Sequence, residues 1–260
     1  MSTSKKMMQM LITGLSFFLL NSNVNAQKPS KEVINIVLVH GAFADGSSWA
    51  KVIKILQHKG FNVIAVQNPL TSLNDDVAAT NRVIEAMDGP VLLCGHSSAG
   101  MVITEAGNNP KVVGLLYASA LIPDDGQNVL DVIKGYPSAG GDAETREDSP
   151  GFLTLSLKGI EQNFVQDLSP SERKIVYATQ GPWGKAFLTQ KIGQAAWKTK
   201  PSWCIIASDD RSVNPDLERK EAKMINATIL ELKSAHVSML SHPKEVSEFI
   251  IKAARALSAG

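Results

Sequence analysis

Three residues spread along the chain have the types that nucleophilic catalysis requires: Ser97, Asp210 and His236. A serine hydroxyl is a poor nucleophile until a histidine takes its proton, and that histidine must be held by an acid. Each of the three closely follows an apolar run, and their order along the chain is serine, acid, histidine. Groups that follow strands of one parallel sheet can form a catalytic triad in this order. We therefore predict Ser97 as the nucleophile, His236 as the base and Asp210 as the orienting acid.

The surroundings of Ser97 predict how its side chain is presented. Residues 91–100 read Val-Leu-Leu-Cys-Gly-His-Ser-Ser-Ala-Gly, and residues 101–106 continue as a predicted helix. A buried strand that turns sharply into a helix strains the residue at the turn and projects its side chain above the sheet. Ala99 departs from the usual glycine after such a serine, and Gly100 follows it. The motif alone also fits an ordinary glycine-rich turn, so the prediction rests on its agreement with the acid and the histidine.

Alternatives exist for the acid and for the histidines. Asp209 precedes Asp210 and is a second candidate acid, but the sequence Asp-Arg-x-x-Asn-Pro favours Asp210. His40 ends the first predicted strand and is predicted to hold the loop after it. A metal site built from His40, His96 and His236 is a further alternative, and no ligand spacing supports it.

The reaction also needs donors for the oxyanion and a wall for the substrate. Backbone N–H groups must point at the oxygen that becomes negative in a tetrahedral intermediate. We predict that Ser98 supplies one of them, through its backbone alone, and that Ala42 supplies the other, with Phe43 as the alternative. Phe43 and Trp183 are predicted to contact the substrate.

The apolar pattern predicts an α/β fold. Between residues 33 and 118, apolar runs alternate with amphipathic stretches in the order β-α-β-α-β-α-β, which is typical of a mainly parallel sheet flanked by helices. No strong strand follows until residues 202–207 and 228–232. The interval is predicted to contain helices, near residues 159–167, 170–179 and 184–194. We therefore predict a core, residues 27–122 and 197–260, with an inserted helical cap, residues 123–196.

The first 26 residues have the features of a signal peptide. Lys5 and Lys6 are followed by an apolar run over residues 11–20 and by the small-residue site Val-Asn-Ala that ends at Ala26. The run is shorter than the roughly 20 apolar residues that span a bilayer, so no stable membrane anchor is predicted. We expect cleavage after Ala26 and a periplasmic or secreted protein.

Composition narrows the classes of partner. The chain has 260 residues, is 44% hydrophobic and carries a net charge of +1 without a basic block, which argues against nucleic acid as a partner. Its two cysteines, Cys94 and Cys204, lie in apolar runs and are predicted to be buried free thiols. The oligomeric state is left open by the sequence.

The chain resembles the α/β-hydrolase superfamily through four short segments: residues 40–43 with Trp49, 95–97, 210–211 and 234–240. More narrowly, it is similar to the branch of plant methylesterases, hydroxynitrile lyases and bacterial methylesterase-like hydrolases. The resemblance implies a secreted bacterial member with a helical cap over a Ser-His-Asp triad, and neither cofactor nor metal. The lyases carry threonine where Gly41 stands and lysine directly after the catalytic histidine, where this chain has Val237.

The expected reaction is hydrolysis of a small or medium carboxylic ester through an acyl-enzyme on Ser97. One alternative is a hydroxynitrile-lyase-like cleavage of a carbon–carbon bond, which a lysine after the histidine would favour. The other is a non-catalytic binding protein of the same fold, which an incomplete triad would favour.

Overall fold

The structure is a computed structural model, and it describes residues 35–137 and 144–258. The predicted signal peptide, residues 1–26, lies outside the described residues. Within the part that is described, no helix combines the length and the apolar character needed to cross a bilayer.

The elements follow one another along the chain with few long gaps. The strands are β1 (Asn35–Val39), β2 (Val63–Val66), β3 (Val91–His96), β4 (Val112–Ala118), β5 (Thr145–Ser149), β6 (Phe152–Leu155), β7 (Trp183–Gly184), β8 (Ser202–Ala207) and β9 (Thr228–Leu232). The α-helices are α1 (Ala50–His58), α2 (Leu73–Glu85), α3 (Ala99–Ala106), α4 (Val129–Val132), α5 (Leu157–Gly159), α6 (Pro170–Thr179), α7 (Ala186–Thr189), α8 (Pro215–Met224), α9 (Ser238–Ser241) and α10 (Pro243–Leu257). Shorter turns of 3₁₀ or π type lie at Gly46–Trp49, Ile160–Phe164 and Ala196–Lys198.

The main sheet has the strand order β2-β1-β3-β4-β8-β9, and each neighbouring pair is parallel. Both of its faces are covered, because Ile36 and Leu38 of β1 pack in one apolar cluster with α1 and α10, whereas Val37 and Val39 pack in another with α2 and α3. The predicted mainly parallel sheet flanked by helices is therefore confirmed. Its parallel strands bring the ends of β3, β8 and β9 to one edge, where the candidate catalytic residues follow.

Residues 123–196, predicted as a helical cap, also contain a small antiparallel sheet of β5, β6 and β7. The prediction of helices without strands was wrong here. The strands escape detection because β5 reads Thr-Arg-Glu-Asp-Ser and is largely exposed, and β7 has two residues. Helix α6 agrees with the prediction of 170–179, and its start is fixed by a reciprocal capping box between Ser169 and Glu172.

The two cysteines are buried free thiols on strands that are not neighbours. Cys94 lies on β3 and Cys204 on β8, with β4 between them. Burial raises the pKa of both thiols, which keeps them in the unreactive protonated form. This agrees with the prediction that they pack as small apolar side chains.

Candidate active site

Ser97 lies between β3 and α3 with a backbone φ of 57°. This value is in the left-handed region, which is strained for residues other than glycine. Three hydrogen bonds hold its backbone there: its N–H donates to Ala118 O (3.1 Å), and its carbonyl oxygen accepts from Gly100 N (3.0 Å) and from Leu121 N (3.2 Å). Close packing behind the turn is provided by Gly100, where a Cβ would lie 2.0 Å from Leu121 O. After Ser97, close packing therefore requires glycine at Gly100, and Ala99 is accommodated in the first turn of α3.

Asp210 and His236 form a buried hydrogen-bonded pair at the ends of β8 and β9. His236 Nδ1 donates to Asp210 Oδ2 over 2.6 Å, and both side chains are buried. The other carboxylate oxygen, Oδ1, accepts from the backbone N–H groups of Ser212 (2.7 Å) and Val213 (2.9 Å). Asp209, the alternative acid, is exposed, so the structure brings Asp210 and not its neighbour to the histidine.

The Nε2 atom of His236 is the ring nitrogen that Asp210 leaves free. It is buried and has no hydrogen-bond partner among residues 35–137 and 144–258. Ser97 is partly exposed and lines the same cavity as His236, without a hydrogen bond between the two side chains in this part of the chain. Catalytic hydrogen bonds are often long in a site without substrate and shorten when substrate binds, so this arrangement is compatible with proton transfer.

The remaining buried histidines near the site have structural partners. His40 Nε2 accepts from Asn68 N (3.0 Å), and its Nδ1 donates to Gly41 O (2.9 Å), which holds the loop after β1 as predicted. His96 Nε2 contacts the carbonyl oxygen of His236 at 3.1 Å. Burial lowers the pKa of His40 and of His96, which keeps both neutral. No group of three or more His, Cys, Asp or Glu in the described ranges is arranged to hold a metal ion.

The loop after β1 lies directly against the turn that carries Ser97. A Cβ on Gly41 would lie 2.7 Å from both His96 O and Ser97 Cβ, so this close approach requires glycine. Ala42 N donates to Ser98 Oγ over 2.9 Å, and Phe43 adopts a strained φ of 57°. The sequence-based expectation that Ser98 acts through its backbone alone did not foresee this side-chain contact.

A cavity of about 500 Å³ opens above Ser97 and His236. Phe43 and Trp183, the predicted substrate contacts, both line it, with ring centroids 5.7 Å apart. Phe164 also lines the cavity, and its ring lies 5.1 Å from that of His236. The sequence could mark Phe164 only as one aromatic residue of the cap among several, because nothing in its neighbourhood indicates which of them faces the histidine.

A second buried carboxyl group lies behind Asp210. Glu218 on α8 is almost fully buried, and its Oε2 accepts from Ala207 N over 3.2 Å. Burial, together with the neighbouring Asp210 carboxylate, raises the pKa of Glu218 well above its ordinary value. This shift favours the neutral form of Glu218, which argues against Glu218 as the anionic partner of His236.

Known proteins share this architecture. The chain matches the alpha/beta hydrolase family over residues 36–249. It is 24% identical over 258 residues to polyneuridine aldehyde esterase of Rauvolfia serpentina, which covers 85% of this chain and 96% of that protein. It is 22% identical over 241 residues to alpha-hydroxynitrile lyase of Arabidopsis thaliana, which covers 82% of this chain and 93% of that protein. The crystal structure of a pyrethroid hydrolase from Sphingobium faniae JZ-2 superimposes with a TM-score of 0.75 at 20% identity, over 86% of this chain and 98% of that one.

The match to the family runs from residue 36 in β1 to residue 249 in α10, so it includes every strand of the main sheet together with Ser97, Asp210 and His236. The relatives include both an esterase and a hydroxynitrile lyase, each aligned over most of its length. The chain therefore belongs to the α/β-hydrolase family, in the branch that contains methylesterases and hydroxynitrile lyases.

Proposed function

We propose that this protein is a serine hydrolase that cleaves a small or medium carboxylic ester through an acyl-enzyme on Ser97. The observation that carries the proposal is the buried pair of His236 and Asp210. His236 lines the same cavity as Ser97, and no group in residues 35–137 and 144–258 forms a hydrogen bond with its Nε2. The esterase and the pyrethroid hydrolase among the similar proteins support ester hydrolysis as the class of reaction.

In this proposal His236 moves one proton in each half of the reaction. Ser97 Oγ attacks the ester carbonyl carbon while His236 Nε2 takes the hydroxyl proton, and Asp210 stabilises the imidazolium that forms. The carbon–oxygen bond to the alcohol then breaks, and the proton passes from His236 to the departing oxygen. Water attacks the acyl group by the same route, which releases the carboxylic acid and restores the Ser97 hydroxyl.

The cavity wall favours an uncharged substrate. Within residues 35–137 and 144–258, the ionisable lining residues besides His236 are Glu144, which pairs with Lys158, and Arg211, which donates to Gln162 O. The rest of the wall is neutral and mostly apolar. A free carboxylate or ammonium group of the substrate that lies against the apolar part of this wall would lose its hydration without a new partner, which is costly. We therefore propose a neutral ester whose acyl or alcohol part is apolar.

The lyase alternative is disfavoured by two residues near the triad. Cleavage of a cyanohydrin needs a cation for the departing cyanide, whereas Val237, directly after the histidine, is apolar and buried. The threonine of the lyases would place its Cβ at Gly41 within 2.7 Å of Ser97 Cβ, which this packing does not admit. The non-catalytic alternative is disfavoured because the serine, the acid and the histidine are all present.

A direct comparison tests the reaction class. Purified mature protein is assayed with p-nitrophenyl butyrate and with mandelonitrile, alongside Ser97→Ala. We expect ester turnover that the substitution abolishes, and no cyanide release above the uncatalysed rate. Cyanide release by the wild-type protein without ester turnover would overturn the proposal.

We further propose that the protein is exported and that the mature chain begins at Gln27. Lys5 and Lys6, the apolar run over residues 11–20 and the small-residue site that ends at Ala26 have the features of a signal peptide. N-terminal sequencing of native material tests this. A start at Gln27 supports export, and a start near Met1 contradicts it.

A further inference from the structure

The Ser98 hydroxyl contacts a backbone donor that the oxyanion of the proposed reaction is expected to use. It accepts a hydrogen bond from Ala42 N over 2.9 Å, and this N–H is one of the two donors expected to face the oxyanion. Ser98 is 5% exposed and lines the cavity together with Ser97. Without substrate, the hydroxyl therefore occupies a donor that would otherwise point into the site.

The orientation of this hydroxyl is unusual for its place in the fold. Ser98 is the N-cap residue of α3, and a serine there commonly accepts from a backbone N–H of the first turn. Ser98 makes no such cap. Its side chain turns to the loop after β1 instead, which points to a role in the site and not in the helix.

The chemistry of a hydroxyl allows both contacts at once. A serine hydroxyl has two lone pairs and one O–H donor, so accepting from Ala42 N leaves its proton available. A hydroxyl that accepts a hydrogen bond becomes a stronger donor. The Ser98 backbone N–H, which starts the helix, is the donor that the sequence already assigned to the oxyanion.

We propose that the Ser98 side chain is itself an oxyanion donor. The hydroxyl keeps its hydrogen bond from Ala42 N and donates its own proton in a hydrogen bond to the carbonyl oxygen as that oxygen becomes negative. The proton stays on Ser98 Oγ, and no bond is made or broken there. The oxyanion is thus held by the backbone N–H and the hydroxyl of the same residue. This inference rests on the proposed ester hydrolysis.

The consequence is a loss of turnover without a loss of substrate binding. Removing one oxyanion donor typically lowers the rate about 100- to 1,000-fold. In Ser98→Ala the freed Ala42 N–H can replace part of the lost donor, so we expect kcat to fall by about tenfold or more with KM little changed. The affinity for a trifluoromethyl ketone, which Ser97 converts to an anionic adduct, falls by a similar factor.

Two further variants separate this role from a structural one. Ser98→Thr keeps the hydroxyl and is expected to recover most of the activity and of the inhibitor affinity lost in Ser98→Ala. Ser247→Ala removes another buried serine hydroxyl, bonded to Pro243 O on α10 and outside the cavity, and is expected to leave both values unchanged. Thermal unfolding of each variant shows whether it remains folded.

The outcomes decide between the explanations. Wild-type kcat in Ser98→Ala would overturn the inference, and a raised kcat would do so too, because the hydroxyl would then only compete with the oxyanion for Ala42 N–H. A folded Ser98→Thr as inactive as Ser98→Ala would also contradict it. If the wild-type protein itself hydrolysed no ester, both this inference and the proposed function would fail, whereas an active wild type with an indifferent Ser98 leaves the proposed function intact.

Discussion

Among single residues, Asp210 has hydrogen-bond donors on both of its carboxylate oxygens. Its carboxylate oxygens accept hydrogen bonds from the backbone N–H groups of Ser212 and Val213 and from His236 Nδ1. The two backbone donors bind Oδ1 and fix the orientation of the carboxylate, which leaves Oδ2 for the histidine. Asp210 is therefore suited to fix the histidine tautomer that leaves Nε2 free to take a proton.

Replacing Asp210 tests this role, and its neighbour supplies the control. Asp210→Asn keeps the shape but no longer favours the productive tautomer, so kcat for an ester should fall about 10³-fold or more. Asp209→Asn changes an exposed carboxylate one residue away and should keep wild-type turnover. Steady-state kinetics of the two variants make the measurement. Comparable losses in both, or a loss in Asp209→Asn alone, would show that the acid has been misassigned.

The sequence was sufficient to name the groups of the candidate triad but not their surroundings. Ser97, Asp210 and His236 could be predicted because each follows a recognisable strand in a known order. The Ser98 hydroxyl, the Phe164 ring and the Glu218 carboxyl depend on which way a side chain turns in the folded protein. No local pattern encodes that direction.

At the level of elements, the strands of the main sheet could be predicted from the sequence, whereas those within residues 123–196 could not. The buried strands can be recognised in the sequence as apolar runs, whereas β5 is polar and β7 is too short to form a pattern. Of the predicted helix at 184–194, the structure contains only α7, which is four residues long. The residues after it form no regular element up to the turn at Ala196–Lys198. Short elements that take their hydrogen bonds from distant partners cannot be recognised from sequence alone.

The elements of this region also supply one wall of the cavity. Trp183 on β7 packs against Phe43 of the loop after β1 and against Phe187 of α7. Trp183→Ala should therefore raise KM for p-nitrophenyl butyrate by about tenfold, since it removes apolar contact area from the substrate, with a smaller change in kcat. Tyr177→Ala on α6 is the control, because that ring is 40% exposed and lies outside the cavity. An unchanged KM in a folded Trp183→Ala would remove Trp183 from the substrate wall.

Across the whole molecule, buried carboxyl groups link stability to pH. Burial raises the pKa of Glu221 to about 8 and that of Asp76 to about 7. The folded protein thus holds protons that the unfolded chain releases near pH 4. Their contribution to stability is present at low pH and is lost as the pH rises through these folded-state values. The lowered pKa values of His40 and His96 act in the opposite sense, but only below about pH 6.5.

Between pH 6.5 and 8 the carboxyl groups should therefore dominate. We expect the unfolding temperature of the wild-type protein to fall by about 3 °C or more over this interval. Glu221→Gln, which keeps a neutral group beside Ile122 N, should lose less, whereas Glu248→Gln on the exposed side of α10 should follow the wild type. Calorimetry at several pH values provides the data. A wild-type profile that is flat, or that rises, between pH 6.5 and 8 would contradict the assignment.

Covalent labelling directly tests whether Ser97 is the nucleophile of an ester hydrolase. Active protein is treated with a fluorophosphonate, the residual ester hydrolysis is measured, and the modified peptide is mapped by mass spectrometry. We expect one adduct per chain, on Ser97, with activity lost in proportion to labelling and no adduct in Ser97→Ala. An adduct on another residue, or full activity in protein whose Ser97 is completely modified, would contradict it.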